Sequence, residues 1–119
     1  MLWPMHIDSY SFGRIRVDGI EFSKDVILLR SEVRSPWWRT AGGRVYAPTD
    51  LEEVVAATPE IVVLGTGYFG RVTVLDETLM VFADGGSEVI VEKTCRAVES
   101  FNQLAAAGHD VAAALHLIC

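Results

Sequence analysis

The sequence predicts a single α/β domain of three layers, with a mixed sheet, an N-terminal β-hairpin and a parallel β-α-β-α-β second half. The chain has 119 residues, of which 50% are hydrophobic, so residues 1–119 suffice for one domain with a substantial core. After residue 60, short apolar runs alternate with helix-length segments, which is the pattern of parallel strands joined by crossover helices. Near the start, an Asp-Gly pair separates two strand-like runs and indicates a tight turn.

The first thirty residues are predicted to be extended. Residues 7–17 place apolar side chains among polar neighbours and predict one strand. Asp18-Gly19 then turns the chain into a second strand over 20–30. The continuous apolar run Val26-Ile27-Leu28-Leu29 predicts that this second strand is covered on both faces.

Residues 31–47 show no clear period and contain Pro36, Gly42 and Gly43. They are predicted to form a loop, with a short strand at 44–46.

The second half contains the regular elements. A capping box, Thr49-Asp50-Leu51-Glu52, predicts a helix that begins at Thr49 and stops before Pro59. Asp76 and Thr94 are predicted N-caps of the two later helices. The predicted elements are a strand over 61–64, a helix over 77–84, a strand over 88–92, a helix over 95–107 and a strand over 111–118.

Three segments are expected to meet at the carboxyl edge of the parallel strands. They are Gly65-Thr66-Gly67, Thr94-Cys95 and Leu117 to Cys119. Ligands bind at this edge in open α/β sheets. The backbone N–H groups of Thr66 and Gly67 are expected to be free there, and Arg39 could complete a group that holds a small anion.

The segment Gly65 to Gly70 matches G-x-G-x-x-G, but the context does not favour a dinucleotide. That fingerprint requires a helix to begin at the later glycines, whereas a β-branched run follows Arg71. Tyr68 and Phe69 are also bulky for a turn around a phosphate. No cofactor is therefore expected.

Charge and composition disfavour several other classes. A net charge of −6 argues against a general nucleic-acid binder, and no apolar run approaches the roughly 20 residues of a membrane span. The start has no secretory pattern and two cysteines are too few for a disulfide scaffold, so a cytoplasmic protein is expected. His6, His109 and His116 are scattered, so no metal site is expected.

Cys95 lies in the first turn of a predicted helix, where the helix dipole can lower a thiol pKa. It is a candidate reactive cysteine, and the alternative is a small residue packed at a helix start.

A run of arginines interrupts the acidic chain. Residues 30–47 carry Arg30, Arg34, Arg39 and Arg44 against Glu32 alone, and Trp37-Trp38 precede Arg39. Tryptophan and arginine are enriched at interface hot spots, which makes Trp37-Trp38-Arg39 a candidate docking surface. Two alternatives are a solvated loop of ion pairs and a tryptophan pair that fills the core.

Several motifs in order resemble a known family, domain of unknown function 498, which includes the adipogenesis-associated domain protein and mitochondrial complex I assembly factor three. The motifs are Phe12-Gly13, Asp18-Gly19, Trp37-Trp38-Arg39, Gly65-Thr66-Gly67, Thr94 with Ala97 and Asn102, and His116 with Cys119. The resemblance implies a small three-layer α/β domain and no known reaction.

Two classes of function follow. The first is a protein-binding or assembly-factor-like module that docks through the Trp37-Trp38-Arg39 loop. The alternative is a small-molecule or anion-binding protein, or an enzyme, that acts at the Gly65–Gly67 edge with Thr94 or Cys95 nearby. An exposed tryptophan on a flat surface would favour the first, and a deep pocket at that edge would favour the second.

Overall fold

A five-stranded mixed sheet forms the centre of the fold. The structure is a computed structural model that describes residues 4–40, 42 and 44–118. The strands are β1 (Ile7–Ser11), β2 (Arg14–Val17), β3 (Ile20–Phe22), β4 (Val26–Leu28), β5 (Val33–Arg34), β6 (Val45–Tyr46), β7 (Ile61–Gly65), β8 (Thr73–Val74), β9 (Glu88–Glu92) and β10 (Val111–Leu115). The helices are α1 (Glu52–Ala56), α2 (Asp76–Asp84) and α3 (Thr94–Ala106), and a 3-10 turn spans Pro48–Asp50.

The order of strands in the central sheet is β5-β4-β10-β7-β9. Strands β10, β7 and β9 are parallel, and Ile61 of β7 lies opposite Val111 on one side and Glu88 on the other. The predicted parallel β-α-β-α-β arrangement is confirmed, with α2 and α3 in the crossovers. Strand β4 pairs antiparallel with β10, which makes the sheet mixed as expected.

Strand β7 separates two hydrophobic cores. All five of its residues are buried. Ile61 and Val63 belong to the core on one face, and Val62 and Leu64 belong to the core on the other. Alternate side chains of a strand point to opposite faces, so a continuous apolar run is needed where both faces are covered.

The first core lies between the central sheet, α3 and the small antiparallel sheet β1-β2-β3. Helix α3 contributes Ala97, Phe101 and Ala105 to it, at the spacing of one helix face. The second core lies beneath α1, α2 and the parallel pair β6-β8. The two cores and the sheet between them produce the three predicted layers.

The predicted single strand over residues 7–17 is wrong. The chain reverses at Phe12-Gly13, so that β1 and β2 form a hairpin with Ile7 opposite Val17. Gly13 has a φ of +79°, a conformation that glycine adopts without a steric cost. Alternation of apolar and polar residues continues through this turn, which hides it from a pattern-based prediction.

The predicted strand over 20–30 is also divided. β3 completes the small sheet, and β4 enters the central one, with a bend at Ser23-Lys24 between them. The predicted last strand is shorter than expected, because the strand ends at Leu115 and the chain leaves the sheet at His116.

The helices lie where they were predicted, but their starts differ. Thr49 and Glu52 do not form the predicted capping box, because the N-cap position of α1 is Leu51, and Asp50 has other partners. Its carboxylate accepts the N–H of Thr40 at 2.7 Å and that of Ala47 at 3.3 Å, and α1 begins two residues later. Neither Asp76 nor Thr94 is an N-cap, because each is the first residue of its helix.

Truncation of Phe101 tests the orientation of α3. The side chain is buried in the first core. Phe101→Ala should lower the free energy of unfolding by about 3–5 kcal/mol, because it removes apolar contacts and leaves a cavity. Urea denaturation measures the change.

The matched control is Met80→Ala on α2, where the side chain is 63% exposed. That variant should stay within about 0.5 kcal/mol of the native chain. An unchanged denaturation midpoint in Phe101→Ala would contradict the placement of α3 described above.

Candidate functional site

The carboxyl ends of the three parallel strands meet at one edge of the sheet. Gly65 at the end of β7 lies opposite Leu115 of β10 and Glu92 of β9. Helix α3 begins at Thr94, two residues after β9 ends. The sequence predicted this convergence.

Thr94 joins the segments that meet at this edge. It is fully buried, and its hydroxyl donates to the carbonyl of His116 at 2.7 Å while accepting the N–H of Gly67 at 2.9 Å. The Thr94 N–H in turn donates to the Gly67 carbonyl at 3.1 Å. The side chain is therefore a tether between α3, the turn after β7 and the end of β10, instead of a helix cap.

Gly65 is required by this close packing. A Cβ at that position would lie 2.9 Å from Thr94 Oγ1 and 2.8 Å from Leu115 Cδ2. The glycine thus allows α3 to approach the strand, and no anion is needed to explain it.

The expectation that the turn after β7 offers free N–H donors is wrong. Thr66 N–H donates to the Glu92 carbonyl at 2.9 Å, and Gly67 N–H donates to Thr94 as described. The G-x-G-x-x-G segment leads into β8 at Thr73 instead of a helix. The turn is a structural junction whose donors are already used.

A cluster of charged side chains lies beside the same edge. Asp25 precedes β4, His116 follows β10, and Arg39 comes from the loop between β5 and β6. Asp25 Oδ2 is 2.7 Å from both Arg39 Nη1 and His116 Nδ1. Asp25 Oδ1 accepts the N–H of Leu117 at 2.9 Å. The aspartate therefore binds the segment after β10 to the first half of the chain.

Asp25 remains ionised in this environment. Burial alone would raise its pKa, but hydrogen bonds from His116, Arg39 and the Leu117 N–H outweigh burial and hold the pKa below its usual range. A carboxylate only accepts hydrogen bonds, so the proton between the two groups lies on His116 Nδ1. Arg39 Nη2 lies 3.1 Å from His116 Nδ1. Since Nδ1 carries the proton, it does not accept a hydrogen bond from the arginine, and the two groups pack side by side.

Arg39 lies between two aromatic rings. Its Cζ atom is 5.0 Å from the centroid of the Trp37 ring and 5.3 Å from that of Tyr46. The guanidinium stacks there on the π faces and is paired with Asp25. Tyr46 links this cluster to the Gly65 edge, because its Oη donates to the Gly65 carbonyl at 2.6 Å.

The two adjacent tryptophans, Trp37 and Trp38, have different environments. Trp37 is 8% exposed, and its Nε1 donates to the Asp50 carbonyl at 3.0 Å, so it fills the second core. Trp38 is 73% exposed. Of the predicted docking loop, only Trp38 presents its side chain at the surface.

Cys95 follows Thr94 in the first turn of α3, and its role as a reactive cysteine stays a prediction. Cys95 is exposed, with a free thiol, although its neighbour Thr94 is buried. Cys119 and Gly43 lie outside the described residues.

An exposed cluster that the sequence did not predict, the aromatic face, consists of Phe12, Tyr68, Phe69 and Ile118. The Tyr68 ring centroid is 5.5 Å from that of Phe12 and 5.1 Å from that of Phe69, both with edge-to-face geometry. Tyr68 N–H donates to the Ile118 carbonyl at 2.9 Å. Two consecutive aromatic residues within a glycine-rich turn were the available signal, because such a turn lies at the surface.

The segment after β10 is held from both sides. The Leu117 carbonyl accepts Tyr10 Oη at 2.8 Å and the N–H of Gly13 at 3.0 Å. Burial raises the pKa of Tyr10 to about 12, so its hydroxyl stays protonated and able to donate. The aromatic face therefore stands on a fixed backbone.

In the described part of the chain, no three His, Cys, Asp or Glu side chains converge in the manner of metal ligands. None of the helices in residues 4–40, 42 and 44–118 combines the length and apolar character needed to cross a bilayer.

Comparison with known proteins gives a family and a set of similar folds. The model of a protein family of unknown function, DUF498/DUF598, matches residues 7–116. An outer membrane protein from Bartonella henselae is 24% identical, with a TM-score of 0.85 and 98% of each chain covered. A conserved hypothetical protein from Pyrococcus horikoshii OT3 is 23% identical, with a TM-score of 0.82 and coverage of 95% of this chain and 98% of the other. A protein from Bordetella parapertussis is 27% identical, with a TM-score of 0.75 and 98% of each chain covered. These similarities confirm the fold over nearly the whole chain.

Removal of the Thr94 hydroxyl tests the tether. Thr94→Val keeps the shape of the side chain but leaves the Gly67 N–H and the His116 carbonyl without their partner. Each buried group left unpaired should cost roughly 1–3 kcal/mol of the free energy of unfolding, measured by urea denaturation. Thr94→Ser keeps the hydroxyl and serves as the control, so equal losses in the two variants would contradict the tether.

Asp25→Asn tests the charge cluster through pH. Because the folded pKa of Asp25 is lowered, its ionised form stabilises the fold above the unfolded pKa of about 3.9, and this contribution is lost as the pH falls through the lower folded value. The variant should be less stable than the native chain by about 3–5 kcal/mol at neutral pH, since the buried ion pair between Asp25 and Arg39 is broken.

The stability gap between Asp25→Asn and the native chain should narrow below about pH 4, as measured by denaturant unfolding at a series of pH values. Asp84→Asn, at an exposed carboxylate, is the control. A gap that is constant across the acid range would show that the charge of Asp25 plays no part.

Proposed function

We propose that this chain, which belongs to the DUF498/DUF598 family of proteins of unknown function, is a protein-docking module. It binds an acidic, apolar segment of its partner on the aromatic face. Membership of the family implies no activity, so the proposal is argued from the surface of the molecule. The observation that carries this proposal is the clustering of large exposed apolar side chains on one part of the molecule.

At the aromatic face the rings of Phe12, Tyr68 and Phe69 pack against one another, and Ile118 Cγ2 lies beside Gly13, the neighbour of Phe12. Phe69 is 52% exposed, Phe12 51%, Ile118 45% and Tyr68 44%. A contiguous apolar patch has a cost in water that isolated apolar residues do not have, and such patches mark interaction sites. Aromatic residues are also the side chains most enriched in interface cores.

The rim of the aromatic face is basic. Arg71 Cζ lies 5.4 Å from the centroid of the Phe69 ring. Exposed Lys93 covers Gly70, the next residue after Phe69. The chain as a whole carries a net charge of −6, so the charge of this rim is opposite in sign to that of the whole chain. A positive rim favours a partner segment with acidic side chains.

A second copy of the chain is a poorer occupant. A two-fold interface would place the same basic rim against itself, and the repulsion between like charges would oppose it. The alternative function, a small-anion site at the Gly65–Gly67 edge, loses its support because the donors of that turn are bonded within the protein.

Selection of random 12-residue peptides displayed on phage, with the native chain immobilised, tests the proposal. Enriched peptides should combine Asp or Glu with Leu, Phe or Trp. Phe69→Ala should weaken their binding by about tenfold or more, because an aromatic anchor in an interface core contributes at least about 1.4 kcal/mol. Isothermal titration calorimetry measures the dissociation constants.

Two controls separate docking from general stickiness. Met80→Ala removes a side chain that is 63% exposed on α2, and it should leave peptide binding unchanged. Raising the salt concentration should weaken binding, since the basic rim is exposed. Peptides without acidic residues, or equal affinity for the Phe69→Ala variant, would contradict the proposal.

A further inference from the structure

A cavity of about 440 Å³ opens beside the Asp25–His116–Arg39 cluster. Its size falls within the roughly 300–1,000 Å³ that is typical of pockets for small organic ligands. Apolar side chains form most of its wall, namely Pro36, Trp37, Trp38, Leu117 and Ile118. Neither the family nor the docking function explains why this cavity is lined by two indole rings.

The charges around the cavity leave a net positive group at its wall. Asp25 and Arg39 are paired with each other in the interior. Lys24 also lines the cavity, and its exposed ammonium forms no ion pair within the described residues. An anionic ligand group would therefore find a counter-ion at Lys24 without breaking an existing pair.

His116 contributes a hydrogen-bond acceptor to the same cavity. Its Nδ1–H donates to Asp25 at 2.7 Å, so in the neutral imidazole the lone pair lies on Nε2. His116 is among the residues that line the cavity. A ligand N–H or O–H is the group that this nitrogen can accept.

We propose that this cavity is a binding site for a small organic anion with a planar apolar body. The body lies against Trp38 and Ile118, the carboxylate pairs with Lys24, and a donor on the body bonds to Nε2 of His116. This site differs from the Gly65–Gly67 edge, because its charged group is a side chain that no internal hydrogen bond occupies. It borders the aromatic face at Ile118 but takes a different class of ligand, and its charged group, Lys24, is not part of the basic rim of that face.

Three matched probes separate the contribution of the carboxylate from that of the ring N–H. They are indole-3-acetate, its neutral amide indole-3-acetamide, and 1-methylindole-3-acetate, which lacks the ring N–H. Titration of ¹⁵N-labelled protein, followed by two-dimensional NMR, should show saturable shifts of the Trp38 indole N–H and of the Leu117 and Ile118 amides with indole-3-acetate. The amide and the N-methyl compound should each bind about fivefold or more weakly.

A lysine pair supplies the matched variants. Lys24→Met should weaken indole-3-acetate to about the affinity of the amide, whereas Lys93→Met, at a lysine outside the cavity wall, should leave the affinity for indole-3-acetate unchanged. Lys24 is exposed, so its replacement leaves the fold intact. The proposal is overturned if shifts fail to saturate below about 10 mM, if acid and amide bind equally, or if Lys24→Met binds as well as the native chain.

Discussion

The hydroxyl of Thr94 is the contact on which the carboxyl edge of the sheet depends. It joins the start of the longest helix to the turn after the central strand and to the residue that follows β10. All three segments must be in place before the two hydrogen bonds can form, and all three are buried at the point of contact. This tether holds the backbone of His116. The ring of His116 then lies where its Nδ1 donates to Asp25.

The charge cluster extends this arrangement to the first half of the chain. Asp25 holds the segment after β10 through the Leu117 N–H and the His116 ring, and it balances the charge of buried Arg39. Arg39 in turn stacks on Trp37, which anchors the long loop in the second core. The loop between β5 and β6 is thus fixed at Trp37, and the next residue, Trp38, is exposed.

The second half of the fold could be predicted because its signals are local. A run such as Ile61 to Leu64 is apolar at every position, and α3 repeats its apolar residues at helical spacing. The N-terminal hairpin could not be predicted in this way, since the alternation of side chains passes through Phe12-Gly13 without a break.

The candidate site could be predicted only in part, because its decisive contacts are distant in sequence. Thr94 was identified, but a Thr before a helical run indicates a cap, whereas its actual partners are 22 and 27 residues away. Asp25 was not identified at all. Its partners His116 and Leu117 are 91 and 92 residues away, and nothing in its immediate neighbours signals a buried ion pair.

The location of β10 has a consequence for synthesis of the protein on the ribosome. The pairs β4-β5 and β7-β9 are both made before β10, yet they become one sheet only when β10 is inserted between them. Until residues 111–115 emerge, β4 and β7 each expose an unpaired edge of backbone donors and acceptors on strands rich in apolar side chains. Such edges are templates for pairing with other chains. The nascent chain that has completed β9 but lacks β10 therefore exposes two such edges at once, and we expect it to be prone to pairing with other chains.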